Sequence, residues 1–177
     1  MMILLMKRFL TVAAVAVSVL VAASCTKEGA SRFKGNYTFK TSGTITVRPS
    51  GDGTAETVQI SLTDESGQMD IVTADKSSGD MVVAMNIVGG SVLTFDAVAD
   101  GRTLTLTPFS RHLTVPVAAE GGLVETSRPQ ASVTVTGYAE RYTDALLFWL
   151  EYQGTYTWQN VEYEIVDSDI SCWAKEN

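Results

Sequence analysis

Histidine and cysteine are almost missing from this chain. Its 177 residues hold one histidine, His112, and two cysteines, Cys25 and Cys172. A hydrolytic triad needs a nucleophile, a base and an orienting acid, and His112 is the sole imidazole in the sequence. It follows Arg111 at a strand start and reads as a partly exposed strand-end residue. No Gly-x-Ser-x-Gly elbow accompanies it. Thiol chemistry would have to pair Cys172 with His112, and nothing in the sequence brings the two together. Zinc sites need clustered Cys and His, which one of each cannot supply. Acidic turns occur at 64–70 and 167–169, but neither has the regular oxygen ligands and distal Glu of a calcium loop. They read as solvated hairpin tips. No glycine-rich loop joins a strand to a helix, so a nucleotide phosphate cradle is not expected. No spacing marks out a glycosidase-type carboxylate pair. The expectation is a protein with no enzymatic activity, cofactor or metal.

Positive charge is scarce as well. The chain has 13 Lys and Arg against 20 Asp and Glu, a net charge of −7. Residues 1–24 contain two of the basic side chains (Lys7 and Arg8) and none of the acidic ones, so the remainder carries −9. An electrostatic nucleic-acid binder needs a basic face, and nucleic acid is therefore not an expected partner. The same arithmetic disfavours general attraction to anionic headgroups. The length suits one domain.

What is present begins with an address. Lys7 and Arg8 form a short positive region. An apolar run at 9–23 follows, broken by Thr11 and Ser18 and ending in Ala22-Ala23-Ser24 before Cys25. The run is shorter than the roughly 20 residues of a spanning helix. Its small-residue end suits signal peptidase. Ala22-Ala23-Ser24-Cys25 resembles the lipobox of bacterial lipoproteins, with Ala22 standing where Leu is usual. That resemblance implies cleavage before Cys25 and acyl chains on it, which would hold the protein stably on a membrane. Residues 1–24 are then a lipoprotein signal peptide and 25–34 a lipid-anchored tether. The implied location is the cell envelope, at the outer membrane, with either face open. With Cys25 acylated, Cys172 beside Trp173 is left as a small apolar core residue, and no disulfide is expected.

From Gly35 the apolar period is two. Tyr37, Phe39, Ile45 and Val47 share one face; Val58, Ile60 and Leu62 another; Leu104 and Leu106, Val133 and Val135, and Val161, Tyr163 and Ile165 repeat the pattern. The opposite faces are Thr-rich or charged, as in an antiparallel sheet with one wet face. Gly-containing turn signals at 52–53, 66–67, 78–79, 89–90, 100–101, 121–122 and 153–154 punctuate the runs. Ten strands are expected: 35–48, 55–64, 67–75, 79–88, 91–98, 102–108, 111–118, 130–141, 144–152 and 155–166. Gly43 marks a bulge or sharp bend. Segments 81–88 and 145–150 are apolar at both parities, which suggests cover on both faces. A loop is expected over 118–130. No helix is expected, although 139–149 is where one competes. Hairpin spacing of this kind builds an all-β barrel or a two-sheet β-sandwich over 35–177.

Gly35-Asn36-Tyr37 at the head of the first strand resembles the Gly-x-Trp start of lipocalins and other calycins. The chain as a whole is similar to the calycin-like β-barrel domains of small exported lipoproteins. The resemblance implies that Tyr37 closes the barrel base and that an arginine packs on it, with Arg102, Arg111 and Arg141 as candidates. The C-terminal half, from 135 through Trp149 to Trp173, is similar to the end of an uncharacterised Gram-negative lipoprotein family.

Aromatics are the remaining candidates for function. Phe148, Trp149, Tyr152, Tyr156, Trp158 and Tyr163 fall within 16 positions. With a turn at 153–154, Tyr156 and Trp158 would fold back on the others. Such a group serves as core packing, as a ligand platform at a barrel mouth or as a surface that stacks on sugars. The candidate ligand residues are therefore Phe148, Trp149, Tyr152, Tyr156 and Trp158. Two functions follow as expectations. One is an anchored barrel holding a small apolar ligand. The other is a structural module binding glycan or protein at the membrane surface.

Overall fold

In a computed structural model of the chain, the described residues are 29–75, 79–116 and 128–177. The signal segment, Cys25 and most of the 118–130 loop lie outside them. Ten strands follow a single turn of helix at 29–31: β1 (Gly35–Pro49), β2 (Val58–Ser61), β3 (Glu65–Thr73), β4 (Asp80–Ile87), β5 (Val92–Asp100), β6 (Thr103–Leu106), β7 (Phe109–Thr114), β8 (Gln130–Arg141), β9 (Ala145–Trp158) and β10 (Val161–Glu176). All pairings are antiparallel. The path β1-β3-β4-β5-β6-β8-β9-β10 returns to β1, closing an eight-stranded barrel. The closing seam is long, running from Tyr37↔Glu176 to Pro49↔Tyr163.

The wall beside two continuous strands, β1 and β8, is broken, and this shapes the molecule. β1 pairs with β3 through residues 35–41 and with β2 through 44–47. β8 pairs with β6 through 138–140 and with β7 through 130–135. The break between β6 and β7 holds Pro108, which has no N–H for a ladder. Below the breaks the wall is continuous. Above them it runs only β2-β1-β10-β9-β8-β7, and it is open between the β2 and β7 edges. The interior divides accordingly. Phe33, Tyr37, Phe39, Ile71, Met81, Leu104, Leu146 and Phe148 fill the closed end. Ile45, Val47, Val115, Val133, Tyr152, Tyr156 and Ile165 fill the open end.

Glycines mark close approaches in two of the four strands that span both cores. Gly43 in β1 has φ +157°, and a Cβ there would sit 2.2 Å from the Asp169 carbonyl oxygen. Gly137 in β8 has φ +152°, with the Trp149 carbonyl oxygen equally close. Only glycine combines that backbone with that approach. The register runs without a break through Gly43, where a bulge or bend was expected, and slips three residues later, between Thr46 and Val47.

Several expectations are corrected. The turn assigned to Gln153-Gly154 is absent: β9 runs straight through to Trp158. The chain reverses at Gln159 and Asn160, both at positive φ (49° and 63°), as a two-residue type I′ hairpin requires. Gly154 and Gly67 are instead close-approach positions inside strands. Added Cβ atoms would meet the Ser132 and Asn86 carbonyl oxygens at 2.3 and 1.9 Å. β10 extends ten residues past the expected end at 166, with Ile170, Cys172 and Ala174 facing inward. The bulge opposite Val47 hid that continuation by breaking the alternation. Residues 29–34 are not a free tether: Ala30 and Phe33 are buried and plug the closed end. Segment 81–88 has one buried face and one half-buried face, with no second layer over it among the described residues. The sandwich alternative gives way to the barrel.

The closed end is fastened by one residue set. The Tyr37 hydroxyl donates to the Phe33 carbonyl oxygen at 2.8 Å and accepts from Arg141 Nη1 at 3.0 Å. The Arg141 guanidinium lies 5.9 Å from the Tyr37 ring centre and also pairs with Glu176. Of the three candidate arginines, Arg141 is the one that reaches Tyr37. Burial, which outweighs the Arg141 charge, holds the Tyr37 phenol above its ordinary pKa.

Candidate functional site

The aromatic group read from the sequence is split by the pleat. Phe148, Tyr152 and Tyr156 point inward and are almost fully buried. Phe148 belongs to the closed-end core and the two tyrosines to the open-end core. Trp158 packs half-buried against the open-end core, and Tyr156 stacks on Tyr163 across the β9–β10 hairpin at 5.3 Å. Four of the five candidate ligand residues are thus packing residues. Trp149, of opposite parity, faces out.

Among the described residues the interior leaves little room for a ligand. A void of about 20 Å³ lies where the two cores meet, lined by Thr41, Met69, Met85, Phe95, Arg111 and Tyr152 among others. A volume near 15 Å³ admits roughly one water molecule. Phe95 and Phe109 close its side in a parallel stack at 4.3 Å. The Thr41 hydroxyl is buried here, and the Cys172 thiol is the polar group beside it. Cys172, its register neighbour on β10, is a free buried thiol, and burial pushes its pKa up to about 12.

Above this void sits the most buried ion pair among the described residues, which sequence reasoning missed. Arg111 on β7 donates two hydrogen bonds to Glu65 on β3, at 3.0 and 2.5 Å, and a longer one to the Tyr152 hydroxyl at 3.4 Å. The Arg111 side chain is 11 % exposed and that of Glu65 25 %. Burial pulls the Arg111 pKa down, but the bonds to Glu65 and Tyr152 more than offset it and hold it above its ordinary value. Burial likewise raises the Tyr152 phenol despite the nearby guanidinium. The pair separates the void from an open groove of about 420 Å³ bounded by residues 63–66, the β4–β5 turn and β7. Glu65 is therefore not part of a solvated tip, contrary to the expectation for 64–70. Its sequence position next to Asp64 gave no sign of a partner 46 residues away. Asp64 does stay at the surface, 2.8 Å from Lys40.

The outer wall of β8-β9-β10 holds what the interior does not use. Tyr138 on β8 and Trp149 on β9 are register partners and stack at 5.0 Å. One rung toward the closed end, Leu147 lies between Glu140 and Trp173. Trp173 then meets Tyr142 at 6.1 Å, and both are nearly half exposed. The result is two aromatic pairs on the barrel exterior, with Leu147 on the rung between them. Around the Tyr138–Trp149 pair, Glu151 and Thr136 form the rung above and Glu140 belongs to the rung below. The strict alternation Cys172-Trp173-Ala174 was the signal that could have placed Trp173 outside. Tyr138 and Tyr142 were legible only once the β8 register was known. His112 is exposed on β7, away from Cys172 on the buried face of β10. No three metal-ligating side chains converge among the described residues.

No family model and no curated protein matches the chain. Among solved structures it is similar to a redesigned β-barrel, at 12 % identity and a TM-score of 0.37, covering 84 % of this chain and 95 % of the other. So loose a likeness carries no functional information, and the barrel assignment rests on the closed strand pairing itself.

Proposed function

We propose that this is a lipid-anchored, non-enzymatic protein of the bacterial envelope, with a calycin-like barrel that binds a glycan on its outer wall. The single observation behind the binding reading is the contrast between an interior that the described residues fill and the half-exposed Tyr138–Trp149 pair on the outer wall. An apolar sugar face stacks on an aromatic ring, and the Tyr138–Trp149 pair offers such a ring. Glu140 and Glu151 flank it as hydrogen-bond acceptors for sugar hydroxyls. Two carboxylates beside the platform disfavour an acidic polysaccharide, so the ligand is a neutral or amino-sugar chain. The anchor reading rests on the Ala22-Ala23-Ser24-Cys25 sequence. The calycin-like reading is supported by Arg141 over Tyr37 at the barrel base.

The test is tryptophan emission of the purified protein during titration with neutral hexasaccharides: cellohexaose, xylohexaose, maltohexaose and chitohexaose. At least one should shift the emission, and Trp149→Ala should abolish the response with the fold intact. No response across the panel would count against the glycan reading. The barrel-ligand reading keeps one supporting observation, the flexible Met69 and Met85 side chains lining the void. It requires the interior to open, so it predicts a raised melting temperature with palmitate, where the glycan reading predicts none.

A further inference from the structure

The closed end carries a second feature that the glycan reading does not use. An open concavity of about 380 Å³ is lined by Arg32, Arg102, Arg141, Tyr142 and Thr143. Three guanidiniums around one hollow are unexpected in a domain whose net charge is strongly negative. Arg141 is committed to Tyr37 and Glu176. Arg32 and Arg102 are exposed and form no ion pair among the described residues. Planar guanidiniums in a cluster suit the oxygens of a phosphate.

The position of the chain entry says which phosphate. Gly29 docks on the β5–β6 turn, where a Cβ on it would sit 3.2 Å from the Gly101 nitrogen. Gly101 adjoins Arg102. Cys25 lies four positions before Gly29, a span of at most about 14 Å when fully extended. An acylated Cys25 therefore holds this end of the barrel, and not the open end, against the bilayer surface. Tyr142 and Trp173 lie at the rim, exposed and in contact with each other. Amphipathic rings of this kind settle at the headgroup level of membranes. From these placements the geometry points to the closed end as a headgroup-binding face: Arg32 and Arg102 take the phosphate of an anionic phospholipid, and Tyr142 and Trp173 rest at the interface. The inference rests on the anchor reading for its orientation.

The overall charge is no obstacle to a local site, but it sets the strength. Asp100 ends β5 and Asp144 lies in the β8–β9 turn at the same end, and Glu176 is spent on Arg141. The face gains nothing from the long-range field of the domain and acts through direct contacts. It serves to orient a protein whose attachment comes from acyl chains. Two arginines near an anionic surface are worth about tenfold in partitioning once acidic neighbours are allowed for.

The experiment uses the chain from residue 25 onward, which contains the whole closed barrel, with Cys25→Ser so that acylation contributes nothing. It is sedimented with vesicles of pure phosphatidylcholine and with vesicles containing phosphatidylglycerol, in low salt. About tenfold stronger partitioning onto the anionic vesicles is expected, and Arg32→Gln with Arg102→Gln should remove the difference while leaving the melting temperature unchanged. Equal partitioning on both vesicles, or a double variant that behaves like the parent, overturns the proposal. Binding of inorganic phosphate in solution without preference for anionic vesicles also overturns it, in favour of a free-anion site. Acylation is read separately, from the mass of the native protein. An arginine-dependent preference in a chain whose native form proves unacylated would retain the site and reject the anchor.

Discussion

Removing Glu65 should unfold this barrel more readily than removing any surface carboxylate. Its partner Arg111 is held on the inner side of β7 with its side chain 11 % exposed, and Glu65 supplies two of its three hydrogen bonds. Glu65→Ala leaves a guanidinium in a site that water reaches poorly, with only the 3.4 Å contact to Tyr152 remaining. Breaking one side of a buried ion pair costs about 3 kcal/mol or more. For a domain of this size, each kcal/mol lowers the melting temperature by about 2–4 °C, so a drop of about 6–12 °C is expected. Two controls isolate the cause. Asp64→Ala breaks the neighbouring pair with Lys40, whose partners are more than half exposed, and should cost well under about 1 kcal/mol. The double variant Glu65→Leu with Arg111→Met replaces both charges by apolar groups and should recover most of the loss. Thermal and urea melts followed by near-ultraviolet circular dichroism read all three. If Glu65→Ala and Asp64→Ala melt alike, or if the double variant is as unstable as Glu65→Ala, the reasoning about burial is wrong.

Three other outcomes follow from the packing. Gly67→Ala places a Cβ 1.9 Å from the Asn86 carbonyl oxygen and should cost about 2 kcal/mol or more by forcing β3 from β4, measured as a lower urea midpoint. Asn160→Gly puts the residue best suited to left-handed backbone at φ 63° and should stabilise the hairpin by about 0.5 kcal/mol, visible in the same melts. The thiol of Cys172 is buried with its pKa pushed up to about 12, and the phenols of Tyr37, Tyr152 and Tyr156 are raised by burial. In each case the folded state keeps a proton that the unfolded chain releases. Stability is therefore full below pH 9 and falls as pH rises through the interval above the ordinary thiol and phenol values. Ellman's reagent at pH 8 should leave Cys172 untouched until denaturant is added; prompt reaction in the native protein would show that β10 does not cover it.

The sequence made the barrel legible where alternation was unbroken. β8 begins and ends where its Val133-Thr134-Val135-Thr136 pattern says it should, and β1 extends one residue further than expected. Alternation failed where the backbone departs from a simple pleat. Past the bulge opposite Val47, the inward set on β10 changes phase, so the stretch with Ile170, Cys172 and Ala174 did not read as a strand. Glycine was ambiguous for a different reason. Gly67 and Gly154 look like turn residues in one dimension, yet both are needed because a neighbouring carbonyl passes too close for a side chain. The true reversal at Gln159-Asn160 contains no glycine at all. The error at Gly154 carried into the candidate site, since an imagined hairpin there gathered aromatics that a continuous β9 distributes along two cores and an outer wall. Arg111–Glu65 and Arg32–Arg102–Arg141 were beyond sequence reading because each depends on registers between distant strands. Tyr37 was legible as the base closure, and the choice of Arg141 among three arginines needed the β8 register.

The membrane anchor stands on Cys25. It is tested by intact-mass spectrometry of the full gene product, extracted with detergent from the membranes of a Gram-negative host. The expected result is a chain that starts at Cys25 and carries the added mass of a diacylglyceryl group, with or without an amide-linked acyl chain, and that is lost from the membrane fraction in Cys25→Ser. A chain that retains residues 1–24, or that is cut elsewhere and bears no acyl mass, would contradict the anchor and with it the orientation of the closed end toward the bilayer.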